Sequence, residues 1–216
     1  MKNSMKWAFG ILGVFIVFAG AAFTFLITQV APVGSAYAAK RLCSCVFISK
    51  RTPDSVLQEE LGRYGYVGTS LDHERKTVTG SILGLAKRTA VYREGLGCTL
   101  AVGAGEIELR QQTMGYDPTR PDTKNLPWPT GDLAENRPLP PFVDRERISR
   151  AVEQAFTEPD PEKPRRTRAI VVLYDGRIVA ERYAPGFTKD TPQLGWSMTK
   201  SVINTLTGIL VGQGKL

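Results

Sequence analysis

The longest hydrophobic segment of the chain is an uncharged apolar run from Trp7 to about Ile27. Lys2 and Lys6 precede this run, and residues 1–39 contain no acidic side chain. About twenty apolar residues are enough to span a bilayer, and basic residues ahead of the span favour a cytoplasmic N-terminus. The pattern predicts a membrane segment within residues 1–39, with everything after it facing outward.

The fate of this segment stays open at the level of sequence. The apolar run is longer than the core of a usual secretory signal, which favours a retained anchor. Ala36, Tyr37 and Ala38 nevertheless form a small-x-small site at which a signal peptidase can cut. The protein is therefore expected either to be anchored in the membrane, facing the periplasm or cell exterior, or to be secreted to the periplasm after cleavage.

Residues 40–113 predict a small α+β region. Helical spacing of apolar residues covers 53–63, with Thr52 or Asp54 available as the N-cap. Glycines separate short β-like runs, which are Val46–Ile48, Lys76–Leu85, Thr89–Tyr92, Cys98–Val102 and Glu106–Leu109.

Residues 114–143 are rich in proline and predict a linker or extended strap, because proline interrupts helices and central strands. Trp128 suggests that part of this stretch packs onto a surface. The prolines concerned are Pro118, Pro121, Pro127, Pro129, Pro138, Pro140 and Pro141.

Residues 144–216 form the last predicted region. Asp144 caps a helix that runs through Phe156. A β-hairpin follows, with strands Ala169–Tyr174 and Arg177–Tyr183 joined by a two-residue type I′ turn. After a loop, a helix suited to burial begins at Ser197 and ends near Gly212 and Gly214; its apolar residues include Met198, Val202, Leu206 and Ile209.

Charge and cysteine content narrow the possible partners. Beyond residue 39 lie 26 of the 28 Lys and Arg residues, against 21 acidic ones, and they form short clusters without interleaved aromatics. This pattern argues against nucleic-acid binding. The pair Lys40-Arg41 is interpreted as a juxtamembrane flank that touches anionic headgroups.

Three cysteines are present, and an outward location permits a disulfide. Either Cys43 or Cys45 can pair with Cys98. Two cysteines without matching His or Cys ligands make a weak zinc site, and we expect no metal and no cofactor.

Candidate chemistry centres on the start of the last helix. Lys200 follows Ser197 by three residues, so one helical turn places the hydroxyl and the amine on the same face, which Ser201 and Asn204 continue. A serine becomes a strong nucleophile when a neighbouring base accepts its proton, and a lysine does this when burial disfavours its charged form. The competing interpretation is a serine N-cap followed by a solvated lysine.

The segment Ala169–Leu216, with Gly195-Trp196-Ser197-Met198-Thr199-Lys200-Ser201 after the hairpin, resembles the start of the β-lactamase-related serine hydrolases. The branch near class C β-lactamases and 6-aminohexanoate-dimer hydrolases is the most similar. The resemblance implies the opening helix, hairpin and nucleophile helix of a truncated β-lactamase/transpeptidase-like fold. It also implies Ser197 as the acyl-forming nucleophile, Lys200 as its general base, and a small-molecule amide or ester as substrate.

Members of that family also carry a Tyr-x-Asn element and a Lys/His-Thr/Ser-Gly strand far downstream. Neither element occurs in this sequence, which ends sixteen residues after Lys200. We therefore expect the chain as given to be inactive or nearly so, with the apolar face of its last helix lacking the usual cover. The alternative function is a non-catalytic, membrane-anchored envelope protein.

Overall fold

A computed structural model of the protein describes residues 2–113, 115, 122–133, 138 and 140–216, with no description of the side chains of residues 2–9. The chain divides into two compact units. One contains residues 1–117 and 192–216, and the other contains residues 118–191. The predicted mixed α+β class is confirmed, whereas the specific β-lactamase-like arrangement stays a prediction.

The N-terminus is one long helical path. Helix α1 (Lys2–Phe25) continues through a π-helical turn (Leu26–Val30) into helix α2 (Ala31–Cys43) and a second π-helical turn (Ser44–Ile48). From residue 10 to Val30 all side chains except that of Ile27 are exposed. The helix from Gly10 is long and apolar enough to cross a membrane, as the sequence predicted.

Four antiparallel strands follow as a meander in the order β1-β2-β3-β4. They are β1 (Val67–Asp72), β2 (Thr77–Ile82), β3 (Leu85–Arg93) and β4 (Gly97–Leu100). The register pairs Thr69 with Gly80, Val78 with Ala90, and Tyr92 with Cys98.

Short helices flank this sheet in the chain. Helix α3 (Pro53–Glu59) begins where predicted, and the Thr52 side chain caps it by accepting from the Ser55 N–H. Helix α4 spans Glu106–Gln111.

Two strand predictions in this region are wrong. Val46–Ile48 belongs to the π-helical turn that prolongs α2, because Val46 and Phe47 are buried there in the core. Glu106–Leu109 lies in α4, whose acidic first turn suits the positive end of the helix dipole. Runs of three or four residues are too short to distinguish a strand period from a helical one.

Helix α2 packs directly against the sheet. A Cβ at Gly80 on β2 would lie 2.2 Å from the Ser35 carbonyl oxygen, so glycine permits the two backbones to approach this closely. Ala38 and Ala39 are almost completely buried in the same core. Helix α2 therefore runs through the boundary at residue 39 that the sequence suggested for the membrane segment.

A disulfide fastens α2 to the sheet. Cys43 is bonded to Cys98 on β4, with a Cα–Cα distance of 6.1 Å. This settles the pairing that the sequence left open. Cys45 lies outside the bridge and is buried in the core.

Ion pairs connect α2 with α3 and the segment before it. Arg41 pairs with Glu60, and Arg51 pairs with Glu59 at 2.6 Å and with Glu60 at 2.8 Å. The side chains of Arg41, Arg51 and Glu60 are each about nine-tenths buried. Charges withdrawn from water to this degree need partners, and the network supplies them.

The second unit combines one helix with the predicted hairpin. Helix α5 (Arg145–Ala155) begins at Asp144, whose carboxylate accepts from the Arg147 N–H at 3.0 Å. Strands β5 (Ala169–Tyr174) and β6 (Arg177–Tyr183) pair antiparallel. Both turn residues, Asp175 and Gly176, have positive φ, as a type I′ turn requires.

The proline-rich segment 114–143 is described only in part, and Pro118 and Pro121 lie outside the described residues. Its Trp128 is half-buried and donates its indole N–H to the Gly176 carbonyl at 2.6 Å. The expectation that Trp128 packs onto a surface is confirmed, and the surface is the hairpin turn.

Candidate active site

The chain enters the candidate site through a strained residue. Trp196 has φ +45°, in the left-handed region that side-chain-bearing residues rarely adopt. Its ring stacks on Tyr37 at a centroid distance of 6.2 Å, and the Arg41 guanidinium carbon lies 4.7 Å from the ring centroid. Strained backbone persists where surrounding contacts hold it, and here helix α2 supplies those contacts.

A 3₁₀ turn (Trp196–Met198) leads into helix α6 (Thr199–Gly212). The Met198 N–H donates to the Gly195 carbonyl at 2.8 Å, and the Thr199 hydroxyl donates to the Trp196 carbonyl at 2.9 Å. Ser197 therefore lies in the turn that opens the helix. The predicted helix start at Ser197 and end at Gly212 agree closely with this path.

The structure brings the two predicted residues together. The Lys200 Nζ donates to the Ser197 Oγ at 3.1 Å, within ordinary hydrogen-bonding distance. One helical turn separates them, as the three-residue spacing predicted. Ser201 and Asn204, which continue this face, are exposed.

The Ser197–Lys200 pair is not buried. Ser197 and Lys200 are exposed, and no residue of α6 is buried. Met198 is 72% exposed and Leu206 is 52% exposed. The apolar face of α6 therefore lacks cover, as the sequence predicts for this chain. The described residues thus supply the contact for proton transfer but leave the pair in water.

Among the described residues, neither His73 nor a cluster of metal ligands provides a second candidate site. His73 lies in the exposed turn between β1 and β2, and its ring meets that of Phe47 edge-on at 6.1 Å. Within the ranges that the structure describes, no three His, Cys, Asp or Glu side chains gather as metal ligands. The predicted nucleophile Ser197 and the predicted base Lys200 are joined by a direct hydrogen bond.

Sequence reasoning missed the contribution of helix α2. Lys40 and Arg41 were interpreted as a flank for lipid headgroups, but Lys40 donates to the Cys98 carbonyl and Arg41 pairs with Glu60. Tyr37 and Arg41 both contact Trp196. Their i, i+4 spacing was the available signal, since it places both on one helix face.

Models of known protein families, curated proteins and solved structures were each compared with the chain, and none of the three comparisons found a match. Functional proposals for this protein therefore depend on its own residues and geometry.

Proposed function

We propose that this protein is an exported serine hydrolase that cleaves amide or ester bonds through an acyl-enzyme on Ser197. The observation that carries the proposal is the 3.1 Å contact between the Lys200 Nζ and the Ser197 Oγ. In its neutral form, a lysine at this position accepts the hydroxyl proton while the oxygen attacks a carbonyl carbon. The start of a helix also presents N–H groups and positive potential to a developing oxyanion.

The resemblance to β-lactamase-related hydrolases supports the same assignment. It rests on the hairpin followed by Ser-x-x-Lys, and the hairpin and the hydroxyl–amine contact both occur in the structure. The substrate class is a small molecule with an amide or ester bond, and lactams, linear amides, esters and D-amino peptides all fit this chemistry. No cofactor enters the proposed mechanism.

A non-catalytic, membrane-anchored envelope protein is the second candidate. The exposure of Ser197 and Lys200 favours it, because catalytic sites usually enclose their reacting side chains in a pocket, and no residue of α6 is buried. Under this alternative the Ser197–Lys200 contact is only a surface hydrogen bond. The serine N-cap that the sequence suggested is not seen, because Met198 occupies the cap position of α6 and no side chain caps the helix.

An acylating serine probe separates the two candidates. In the longest form of the protein that the gene encodes, a fluorophosphonate is expected to label Ser197, and Ser197→Ala abolishes labelling. Ser201→Ala is the matched control, because this serine lies on the same face but is followed three residues later by Asn204. Equal labelling of the wild-type protein and Ser197→Ala would reject the hydrolase.

Substitutions at Lys200 test the base. Lys200→Ala is expected to slow labelling by about 10² to 10⁴, the usual contribution of general-base catalysis. Lys200→Arg is expected to slow labelling nearly as much, because a guanidinium stays protonated. Unchanged labelling in either variant would assign Lys200 to the solvated surface.

The same proposal includes retention of the N-terminal helix as an anchor, with Lys2 and Lys6 on the cytoplasmic side. Cleavage after Ala38 would remove Ser35, whose backbone contacts β2 at Gly80, and would cut between Ala38 and Ala39 in the core. Residues with such packing belong to the folded domain rather than to a discarded signal.

Mass spectrometry of the N-terminus tests the retention of the anchor. A mature chain that begins at Ala39 would contradict it. A reporter fused after residue 60 tests the orientation and is expected to be active only outside the cytoplasm.

A further inference from the structure

A pocket lies between helix α2 and the turn that opens α6. Its volume is about 400 Å³, within the range of small-molecule sites. Its walls include Tyr37, Arg41, Leu100, Leu194, Trp196 and Thr199. Trp196 and Thr199 flank Ser197 in the chain, so a molecule in this pocket lies next to the turn that carries the candidate nucleophile.

Most of the pocket wall is apolar, and the charged residues of the wall lie on the side formed by helix α2. The ring of Trp196, together with Leu194 and Leu100, presents carbon surface to the cavity. Lys40 and Arg41 lie on the α2 side and add positive charge. The lining therefore matches a molecule with an apolar body and an anionic end.

The Arg41 guanidinium has unused hydrogen-bonding capacity. Its side chain is 10% exposed, and it donates through Nη2 to Glu60. The Nε and Nη1 atoms are buried and, among the residues that the structure describes, have no hydrogen-bond acceptor. Buried donors without acceptors are costly, so an acceptor at this position stabilises the protein.

The surrounding charges also favour an anion. The charged residues in the pocket lining are Lys40 and Arg41, and both are cations; the carboxylate that pairs with Arg41 belongs to Glu60, which is not part of the lining. A guanidinium presents its N–H groups in a planar fork that matches the two oxygens of a carboxylate.

We propose that this pocket binds a carboxylate carried on a small apolar group, and that Arg41 recognises the carboxylate. Arg41 lines the pocket, and the Trp196 ring covers one face of its guanidinium. The further claim that the carboxylate belongs to the molecule that acylates Ser197 rests on the proposed function. It makes Arg41 a residue that selects anionic amides or esters.

Calorimetric titration of the full-length Ser197→Ala variant in a non-ionic detergent tests binding without any chemistry at Ser197. Hexanoate is the probe, and hexanamide, which has the same chain and no charge, is the reference ligand. Hexanoate is expected to bind at least about tenfold more tightly than hexanamide, since a charge-assisted hydrogen bond is stronger than a neutral one.

Single substitutions test whether hexanoate binds in this pocket. Arg41→Gln is expected to remove the preference for hexanoate, while Arg63→Gln, which removes an exposed arginine outside the pocket, leaves it unchanged. Ala36→Trp fills the pocket without touching the ion pairs and is expected to abolish binding of both ligands. This variant keeps the test decisive if Arg41→Gln does not fold.

Equal binding of hexanoate and hexanamide would overturn the proposal, and so would full hexanoate binding in Arg41→Gln or in Ala36→Trp. A failure of the hydrolase proposal is distinguishable, because it concerns labelling of Ser197 and leaves these titrations unaffected. The link to acylation is tested by labelling with a carboxylate-bearing and a neutral phenyl ester. Arg41→Gln is expected to slow only the first reaction, and equal slowing of both would overturn the link.

Discussion

Helices α2 and α6 belong to the same compact unit but differ completely in burial. The sequence of α6 is the more apolar, with valine, isoleucine or leucine at six of its fourteen positions, yet none of its residues is buried. The α2 sequence has four alanines, one glycine and one serine, and seven of its thirteen residues are buried. Close backbone approach to a sheet, rather than hydrophobicity of the helix, thus accounts for which of the two is buried.

Among the predictions on α2 and α6, reduction of the disulfide is expected to have the largest effect on stability. The Cys43–Cys98 bridge closes a loop of 55 residues, for which chain entropy predicts a stabilisation of about 4 kcal/mol. Reduction is therefore expected to lower the free energy of unfolding of the α2 core by roughly that amount. Denaturant unfolding of the full chain in detergent, with and without reductant, measures this.

The cysteine outside the bridge provides the control. Cys45→Ala is expected to keep the sensitivity to reductant, whereas Cys43→Ala loses it. The same sensitivity in all three proteins would contradict the role assigned to the bridge.

Matched leucines compare the two helices directly. Leu42 on α2 is 2% exposed, and Leu42→Ala is expected to cost about 3 kcal/mol through lost burial and a residual cavity. Leu206 on α6 is half-exposed, and Leu206→Ala is expected to change stability by no more than about 0.5 kcal/mol. Thermal unfolding followed by near-ultraviolet circular dichroism gives both values, and similar costs would show that α6 is packed in solution.

Two glycines test the close approach of α2 to the sheet. Gly80→Ala places a Cβ 2.2 Å from the Ser35 carbonyl oxygen and is expected to cost about 2 kcal/mol, as overpacking does. Gly68→Ala on the neighbouring strand meets the Ser81 hydroxyl at 3.4 Å and the Ser81 carbonyl oxygen at 3.8 Å, both ordinary contacts, and serves as the control. Equal stability of the two variants would mean that α2 lies farther from β2.

The smallest expected effect concerns pH. Burial tends to raise the pKa of Glu106, but hydrogen bonds from Arg75 and Arg110 outweigh it and lower the pKa below 4.5. A lowered folded-state pKa stabilises the protein above pH 4.5, and this contribution disappears as the pH falls through the folded-state value.

Glu106→Gln is therefore expected to cost less than about 1 kcal/mol at neutral pH, because the pair is partly exposed. The difference between the two proteins should vanish in acid. Glu108→Gln, on the same helix and exposed, is the control for the lost charge. A difference that grows as the pH falls would contradict the assigned sign.

Local signals predicted the elements that local interactions determine. The cap at Asp144, the Asp175-Gly176 turn and the spacing of Ser197 and Lys200 each involve residues a few positions apart, and each appears as expected. Short β-like runs failed at Val46–Ile48 and Glu106–Leu109, where helices prevailed.

Contacts between residues far apart in the chain could not be predicted from local sequence patterns. The pairing of Cys43 with Cys98 and the stacking of Trp196 on Tyr37 join residues 55 and more positions apart. Periodicity describes one element at a time, so it does not indicate which residues of two elements meet.

The sequence by itself determined the apolar N-terminal helix, the hairpin and the hydroxyl–amine pair, because hydrophobic length, turn chemistry and helical spacing are properties of neighbouring residues. Only the tertiary structure decided that α2 belongs to the core and that Arg41 lies over Trp196. The physical reason is that burial depends on a complementary surface, and such a surface exists only after distant parts of the chain have come together.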